Sequence, residues 1–285
     1  MSDAPTTRRA AVLGSPITHS LSPTLHRAAY AELGLDWRYD ALEVTADQLT
    51  AFLGSLDSDW VGLSLTMPLK EAVIPLLDEV SAVAARTHAV NTVVFEDRAD
   101  GRITCGYNTD VAGIAWALVE GGVKADASVL AGQSVALLGA GATTRSALVA
   151  LGQLGVASVT VSARRTQAAH ALAPFAQDAG LDLVIVPWER ADELLLSDIL
   201  VSTLPAHAAD RLSLDVPNEP GVLLDVVYSP WPTDLAESWQ SQGGTAIGGL
   251  AMLVGQAAEQ VRLMTGQDAP IDAMLTAGRR ALEAN

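Results

Sequence analysis

The chain has 285 residues, of which 49% are hydrophobic, so it is long enough for one or two domains and too apolar to be disordered. Its 33 Asp and Glu against 17 Lys and Arg give a formal net charge of −16, which argues against nonspecific nucleic-acid or anionic-membrane binding. With one cysteine, Cys105, no apolar core before Pro16 and no long apolar run elsewhere, we expect a cytoplasmic protein without an intramolecular disulfide.

The first part of the chain alternates predicted strands and helices. One helix is predicted to begin at Ser22-Pro23, with the serine as its cap and the proline at the first helical position, and to end at Gly34. An Asp100-Gly101 turn is expected to join two strands. The strands are predicted over 9–14, 37–42, 60–65, 90–95 and 103–105, and further helices over 47–53 and 70–77.

A glycine loop divides the chain near its middle. The loop reads G-A-G-A-T-T-R over 139–145, after an apolar strand at 134–138 and before a helix at 147–152. This is the context in which glycines let the backbone approach a pyrophosphate at a helix N-terminus. Later strands lack alternation, as in a parallel sheet covered on both faces; they are predicted over 157–162, 184–186, 199–202 and 222–227.

These elements predict an α/β protein of two domains. Residues 1–110 are predicted to form a first α/β domain, and 111–249 a Rossmann-type dinucleotide-binding domain. Two helices, predicted over 250–265 and 270–284 with no strand between them, are expected to return to the first domain.

Arg164 and Arg165 follow the second strand of the dinucleotide unit, about twenty residues past the glycine loop. An NAD site usually has Asp or Glu there, and that carboxylate would repel a 2′-phosphate, whereas a guanidinium matches its charge and geometry. The sequence therefore favours NADP(H). The alternative is that the two arginines are ordinary solvated charges at the start of the next helix.

Short polar strings stand at the predicted element ends of the first domain. Ser20 and Ser22 bring hydroxyls to a helix N-terminus, which suits a carboxylate, although capping and turn formation also explain them. Lys70 follows a strand that ends in a proline turn, where a solvated lysine is the alternative. Asn91 and the string N-T-D at 108–110 add amides, hydroxyls and a carboxylate, each with a turn-forming alternative.

In combination, these strings resemble the shikimate dehydrogenase family, which also contains quinate/shikimate dehydrogenases. The resemblance covers most of the chain in the family's order and is far more specific than the glycine loop alone. It rests on P-I-x-H-S-x-S-P-x-x-H over 16–26, T-x-P-x-K ending at Lys70, Asn91-Thr92, N-T-D at 108–110 with Gly113, the 139–145 loop, D-V-V-Y at 225–228, and G-G-L at 248–250 with Met252-Leu253 and Gln256.

The resemblance implies an oxidoreductase of aromatic amino acid biosynthesis that reduces 3-dehydroshikimate reversibly to shikimate with NADPH. It implies Lys70 and Asp110 as the catalytic pair, with no metal. The implied substrate residues are Ser20, Ser22, Ser64, Thr66, Asn91, Tyr228 and Gln256, with Asp110 also near the ring hydroxyls. The expected cofactor residues are Gly139, Ala140, Gly141, Ala142, Thr143, Arg145, Arg164, Arg165, Thr203 and Gly249.

The sequence departs from the family's common pattern at several positions. Ser64 stands where many relatives have Asn, so its contact with a ring hydroxyl is direct, bridged by water or lost. Of the familiar Asn-Arg-Thr after the second strand, only Arg164 carries over by position, and Arg165 is inferred from charge. Further departures are Ala142-Thr143 and the string S-T-L-P at 202–205.

Three alternatives remain open at this stage. The chain is a monomer or a homodimer. A dual-specificity quinate/shikimate dehydrogenase is the nearest rival function, and a catalytically silent dinucleotide-binding regulator is the rival from another class.

Overall fold

A computed structural model describes residues 7–123 and 130–284. The chain divides into two compact units, the first containing the described residues up to Thr109 and from Gln256 onward, the second Asp110–Gly255. The functional domains and their boundaries at 110/111 and 249/250 remain predictions. The expectation that the chain before Pro16 has no targeting signal concerns a segment whose first six residues lie outside the described ones.

The first unit is built on a mixed six-stranded sheet. Strand order is β2-β1-β3-β5-β6-β4, with β1 parallel to β2 and β3, and β5 antiparallel to β3 and β6. Gly101, with φ +134°, forms the predicted turn between β5 and β6. The elements are β1 Arg9–Gly14, α1 Ser22–Glu32, β2 Arg38–Glu43, α2 Leu49–Gly54, β3 Trp60–Leu65, α3 Leu69–Ala72, β4 Glu79–Val80, α4 Ala82–Thr87, β5 Thr92–Arg98 and β6 Gly101–Tyr107.

Two local predictions for this unit were wrong. The helix predicted over 70–77 divides into α3 and a 3₁₀ turn, Ile74–Leu76, because Pro75 has no N–H with which to continue an α-helix. Ser22 is the first residue of α1, and Leu21 occupies the N-cap. Sequence patterns also missed β4 and α4, which are too short for a periodic signal.

The second unit contains a parallel six-stranded sheet. Its elements are α5 Asp110–Leu118, continued by a π-helical turn Val119–Val123, then β7 Val135–Leu138, α6 Ala142–Gln153, β8 Ser158–Ser162, α7 Thr166–His170, α8 Ala173–Asp178, β9 Asp182–Ile185, β10 Ile199–Ser202, β11 Val222–Asp225, α9 Asp234–Ser241 and β12 Thr245–Ile247. Two 3₁₀ segments, Trp188–Leu196 and Asp210–Asp215, complete it.

The strand order of this sheet is β9-β8-β7-β10-β11-β12, the order of a Rossmann fold. The chain winds outward from β7 through β8 to β9, then returns to the other side of β7 for β10 to β12. In such sheets, ligands bind at the carboxyl ends of the strands where the winding reverses. The predicted α/β fold with a Rossmann-type sheet is confirmed.

Two C-terminal helices complete the chain, α10 Gly249–Thr265 and α11 Ile271–Glu283. The division between the units falls inside α10, and α11 packs against α1 in the first unit. An amphipathic α11, with Met274 fully buried, explains this packing because its apolar face needs a partner. Among the described residues, no helix combines the length and apolar character needed to cross a membrane.

Candidate active site

In the first unit, two loops meet at the carboxyl ends of the parallel strands β1 and β3. The Thr66 amide donates to the Leu13 carbonyl (2.9 Å), and the Ser15 amide donates to the Met67 carbonyl (3.1 Å). Gly14 lies against the Thr66 methyl group, where any Cβ would overlap it. A glycine at the end of β1 therefore lets the loop before α1 lie beside the loop that carries Thr66 and Lys70.

Lys70 and Asn91 lie at the same edge of the sheet. The Leu65 amide donates to the Asn91 carbonyl (2.7 Å), and the Val90 amide donates to the Lys70 carbonyl (2.8 Å). Asn91 is buried, whereas Lys70 and Thr66 are half-buried. The structure thus brings Thr66, Lys70 and Asn91 together from positions far apart in sequence.

Hydrogen bonds fix the side-chain amide of Asn91. Its Oδ1 accepts from the Thr109 amide (2.8 Å) and from the Thr92 hydroxyl (2.8 Å). Its Nδ2 donates to Thr109 Oγ1 (3.0 Å). Because a backbone N–H can only donate, the contact with Thr109 N determines which end of the Asn91 amide is the oxygen.

Asn108 and Asp110, on either side of Thr109, have different surroundings. Asn108 Nδ2 donates to Thr87 Oγ1 (2.9 Å) and to the Ala89 carbonyl (3.0 Å), which ties this loop to the end of α4. Asp110 is the first residue of α5 and is only 1% exposed. A buried carboxylate requires compensating polar or charged partners, so this position suits a functional group better than a solvated turn residue.

Ser20 and Ser22 lie at the start of α1. Ser20 Oγ accepts from the Ser22 amide (3.3 Å), so Ser20 makes the contact with the helix terminus that was predicted for Ser22. Ser20 is half-buried and Ser22 is buried. Both therefore lie at the amino end of an 11-residue helix, where the backbone favours negative charge.

A buried group of polar side chains, the Gln260 cluster, lies between the sheet and α10. It consists of His26, Tyr39, Ser64, Thr92 and Gln260. Tyr39 Oη donates to Ser64 Oγ (2.6 Å), and Ser64 Oγ donates to Gln260 Oε1 (2.9 Å). Gln260 Oε1 also pairs with His26 Nε2 (3.1 Å), and Gln260 Nε2 donates to Thr92 Oγ1 (3.0 Å). Ser64, which the resemblance places at the substrate, thus belongs to a network inside the protein.

Burial sets the charge states in this cluster. Loss of solvation lowers the pKa of His26 to about 4, against the opposing effect of its hydrogen bond to Gln260, so the imidazole is neutral near pH 7. Burial also raises the pKa of Tyr39 well above its ordinary value, so its hydroxyl stays protonated and donates to Ser64. His26 stacks on Tyr39 with ring centroids 4.0 Å apart.

Sequence reasoning missed Gln260 entirely. It is 2% exposed and lies four residues after Gln256 on α10, so both glutamines occupy one face of the helix. Gln256 is half-buried, which agrees with its predicted position beside the apolar stripe. The i, i+4 spacing of two glutamines in an apolar helix is the signal that could have identified Gln260.

In the second unit, the glycine loop connects β7 to α6. Gly139 has φ +114°, which disfavours any side chain, and a Cβ there would overlap Thr203 Oγ1. Gly141 is the N-cap of α6, and a Cβ built on it would meet open space. The loop thus leaves room beside the amino end of a 12-residue helix.

Two threonines hold this loop in place. Thr203 Oγ1 donates to the Leu138 carbonyl (2.9 Å) and contacts Thr144 Oγ1 (2.8 Å). Thr144 Oγ1 in turn accepts from the Gly141 amide (3.0 Å). Thr203, predicted to bind the cofactor, therefore also has a structural role, and Thr144 is a supporting residue that the prediction omitted.

Gly249 and Tyr228 come together around the end of β11. The Gly249 amide donates to the Val227 carbonyl (3.0 Å), and a Cβ on Gly249 would overlap the Val226 carbonyl. Close backbone contact thus explains glycine at this position. The pKa of Tyr228, which is half-buried, is raised by burial. Asp225 holds the start of this loop by accepting from the Val227 amide (3.2 Å) and the Thr233 hydroxyl (2.9 Å).

The three arginines predicted at the cofactor site differ in their surroundings. Arg164 and Arg165 are exposed and follow the carboxyl end of β8, the strand beside β7. The Arg145 guanidinium lies over the Phe175 ring, 5.2 Å from its centroid. The two exposed guanidinium groups therefore stand at the sheet edge where a Rossmann site holds its ribose.

Metal-binding clusters and thiols are two other kinds of reactive group that the described residues could contain. No group of three or more His, Cys, Asp or Glu among residues 7–123 and 130–284 is arranged to hold a metal ion. Cys105 is buried, and burial raises the pKa of its thiol to about 11. A protonated thiol is a poor nucleophile, so Cys105 is not a candidate catalytic group.

Fold and site define a class: an α/β protein with a dinucleotide-type Rossmann sheet in one unit and a polar sheet edge carrying a lysine and amides in the other. Two family models match, one described as the shikimate dehydrogenase substrate binding domain at residues 12–93, the other as the shikimate 5′-dehydrogenase C-terminal domain at residues 249–277.

Individual relatives agree over nearly the whole chain. Shikimate dehydrogenase (NADP(+)) of Methanothermobacter thermautotrophicus is 34% identical over 95% of this chain and 95% of its own. The crystal structure of Mycobacterium tuberculosis shikimate dehydrogenase has a TM-score of 0.84 at 39% identity, covering 96% of this chain and 99% of that one. The Thermus thermophilus enzyme, solved with NADP(H) and shikimate, has a TM-score of 0.82 at 35% identity, covering 97% and 100%. The chain belongs to the shikimate dehydrogenase family.

Proposed function

We propose that this protein catalyses the NADP-dependent, reversible reduction of 3-dehydroshikimate to shikimate. The observation that carries the proposal is the polar sheet edge of the first unit, where Thr66, Lys70 and Asn91 converge, in a chain whose second unit holds the glycine loop. Relatives named shikimate dehydrogenase (NADP(+)) support the same reaction. The enzyme is proposed to act in the cytoplasm, as a monomer or homodimer.

The first unit is proposed to bind the substrate. Ser20 and Ser22 lie at the amino end of α1, which favours the carboxylate by its backbone dipole and hydroxyls. Thr66, Asn91, Asp110 and Gln256 are assigned to the ring hydroxyls. Tyr228 is assigned to the substrate near the nicotinamide. Ser64 is assigned to the same subsite through its neighbours, because its hydroxyl donates to Gln260.

The second unit is proposed to hold NADP(H), and its residues fit that group. Open space at Gly141 and the positive φ of Gly139 leave a concave loop for the pyrophosphate, assigned to residues 139–143. Arg164 and Arg165 are assigned to the 2′-phosphate, since both are exposed at the end of β8. Arg145, Thr203 and Gly249 complete the assignment, with Thr203 and Gly249 acting by shaping the backbone.

When bound, NADPH supplies a hydride to the carbonyl carbon. Negative charge then grows on the carbonyl oxygen, and Lys70 is proposed to stabilise it and to donate the proton that makes the new hydroxyl. Asp110, buried at the start of α5, is proposed to orient the Lys70 ammonium. In the reverse direction, Lys70 accepts the hydroxyl proton as hydride leaves.

One matrix of assays tests the reaction: shikimate and quinate, each with NADP⁺ and with NAD⁺, followed by nicotinamide absorbance. We expect the highest kcat/KM with shikimate and NADP⁺. Comparable turnover with quinate would favour dual specificity, and no turnover with any pair would favour a silent dinucleotide-binding protein and overturn the proposal.

A variant tests the role of Lys70. Lys70→Ala should lower kcat by at least about 100-fold, because a general acid contributes on that order, while the fold is retained. Arg38→Ala is the matched control, since Arg38 is an exposed cation of the same unit at the opposite, amino end of its strands. A folded Lys70→Ala protein with near-normal kcat would show that another group transfers the proton.

A further inference from the structure

Gln260 makes more hydrogen bonds than the packing of a helix requires. Besides its bonds to Ser64, His26 and Thr92, its Nε2 donates to the Asn91 carbonyl (3.4 Å). A primary amide has two donor hydrogens and two acceptor lone pairs, so every one of these positions is used. Such a fully satisfied buried amide holds its neighbours in one arrangement.

The orientation of the Gln260 amide follows from its neighbours. The Asn91 carbonyl can only accept, so the NH₂ end of Gln260 must face β5 and the oxygen must face Ser64 and His26. A neutral His26 then donates from Nε2. Its Nδ1, fully buried, has no hydrogen-bond partner among the described residues. The hydrogen bond to Gln260 is therefore the one that the structure gives to the His26 ring.

From Gln260 the hydrogen bonds lead to the side chain of Asn91. Ser64 and Thr92 are directly paired across the antiparallel strands β3 and β5, and Gln260 bridges their hydroxyls from α10. Because Thr92 Oγ1 accepts from Gln260, its single hydrogen is directed to Asn91 Oδ1. Without the Gln260 donor, the Thr92 hydroxyl is free to rotate, and the Asn91 oxygen loses a directed donor beside the Thr109 amide and the Thr109 hydroxyl at 3.2 Å.

We propose that Gln260 is a positioning residue for substrate recognition, which fixes the side-chain amide of Asn91 through the Thr92 hydroxyl and holds Ser64 within the protein. Gln260 itself does not touch the substrate. This inference rests on the function proposed above, since it assigns Gln260 to the subsite in which Asn91 meets a ring hydroxyl.

A double-mutant cycle tests the proposal. Gln260→Met retains side-chain length and removes all four hydrogen bonds, and we expect it to lower kcat/KM for shikimate by about tenfold, with the KM for NADP⁺ unchanged. In an Asn91→Ala background, the same change should cost less than about twofold, because the group it positions is gone. Gln267→Met, at an exposed glutamine just after α10, should change neither constant.

The cycle separates positioning from general structural damage. If Gln260→Met only weakened the fold, it would lower kcat/KM for shikimate by the same factor in both backgrounds, and that result would overturn the proposal. Should Gln260→Met fail to fold, Thr92→Val removes the intermediate hydroxyl at constant shape and must show the same coupling to Asn91. If the wild-type protein turns over shikimate but the effects at positions 260 and 91 are independent, only the positioning role is refuted. If the wild-type protein does not turn over shikimate, the proposed function is overturned, and this inference with it.

Discussion

His26 makes the stability of the first unit sensitive to acid. The imidazole is fully buried, its Nε2 donates to Gln260, and burial lowers its pKa from 6.5 to about 4. In the unfolded chain the same group is protonated at a higher pH. Between these two pKa values the unfolded state therefore binds more protons, so the stability is present above pH 6.5 and is lost as pH falls toward 4.

The size of the effect follows from linkage. The difference of about 2.5 pKa units corresponds to about 3 kcal/mol of unfolding free energy once the pH is below both values. Integrated between about pH 7.5 and about pH 5, His26 accounts for a loss of about 2 kcal/mol. That is a large fraction of the net stability of an ordinary domain.

Urea unfolding of the wild type and His26→Gln at both pH values measures this contribution. Gln at position 26 removes the titrating group and keeps a neutral donor. The difference in unfolding free energy between the two proteins should therefore shrink by about 2 kcal/mol on going from pH 7.5 to pH 5. His19→Gln, at an exposed histidine of the same unit, is the control for the His-to-Gln exchange itself. A pH-independent difference for His26→Gln would refute the reasoning, since it would mean that the folded protein protonates His26 as readily as the unfolded chain.

The remaining predictions concern the cofactor. Arg164→Ala should raise the KM for NADP⁺ by about tenfold or more and leave the KM for NAD⁺ within about twofold, because only NADP⁺ carries the 2′-phosphate; equal changes for both cofactors would contradict the assignment. Gly139→Ala should destabilise the protein by about 1–3 kcal/mol and raise the KM for NADP⁺, because its φ is +114° and a Cβ overlaps Thr203. Gly155→Ala is the matched control, because Gly155 also has a positive φ (+80°) but nothing lies within 4 Å of a Cβ built there. Thermal unfolding measures the stability of both variants, and Gly155→Ala is expected to leave the KM for NADP⁺ unchanged.

Local sequence patterns predicted the architecture where the signals are strong. Apolar runs of four to six residues gave β1, β3, β7 and β10, because a strand buried on both faces needs no polar positions. The glycine loop identified the start of the Rossmann sheet, since positive φ at Gly139 and a close approach at Thr203 leave few residues that fit. The strings around Ser20, Lys70 and Asn91 pointed to one family because their order along the chain is specific.

Boundaries and caps were decided by tertiary contacts. Serine before proline is a common N-cap pattern, which predicted Ser22 as the cap of α1. The turn before α1 instead places the Ser20 hydroxyl at the Ser22 amide. Likewise, Pro75 ends α3 early, and the following chain forms β4 alongside β6. In each case several neighbouring residues had similar local propensities, and packing selected one of them.

By itself, the sequence determined the fold class, the dinucleotide-type sheet and the set of polar residues that meet at the edge of the first unit, because these depend on periodicity and on motifs of adjacent residues. Only the tertiary structure decided which side chains form hydrogen bonds with one another. Gln260 is remote from His26, Ser64 and Thr92 in the sequence, and it becomes their common partner because α10 packs on the sheet of the first unit. Burial then forces each polar atom to find a specific partner, and that requirement has no counterpart in the linear chain.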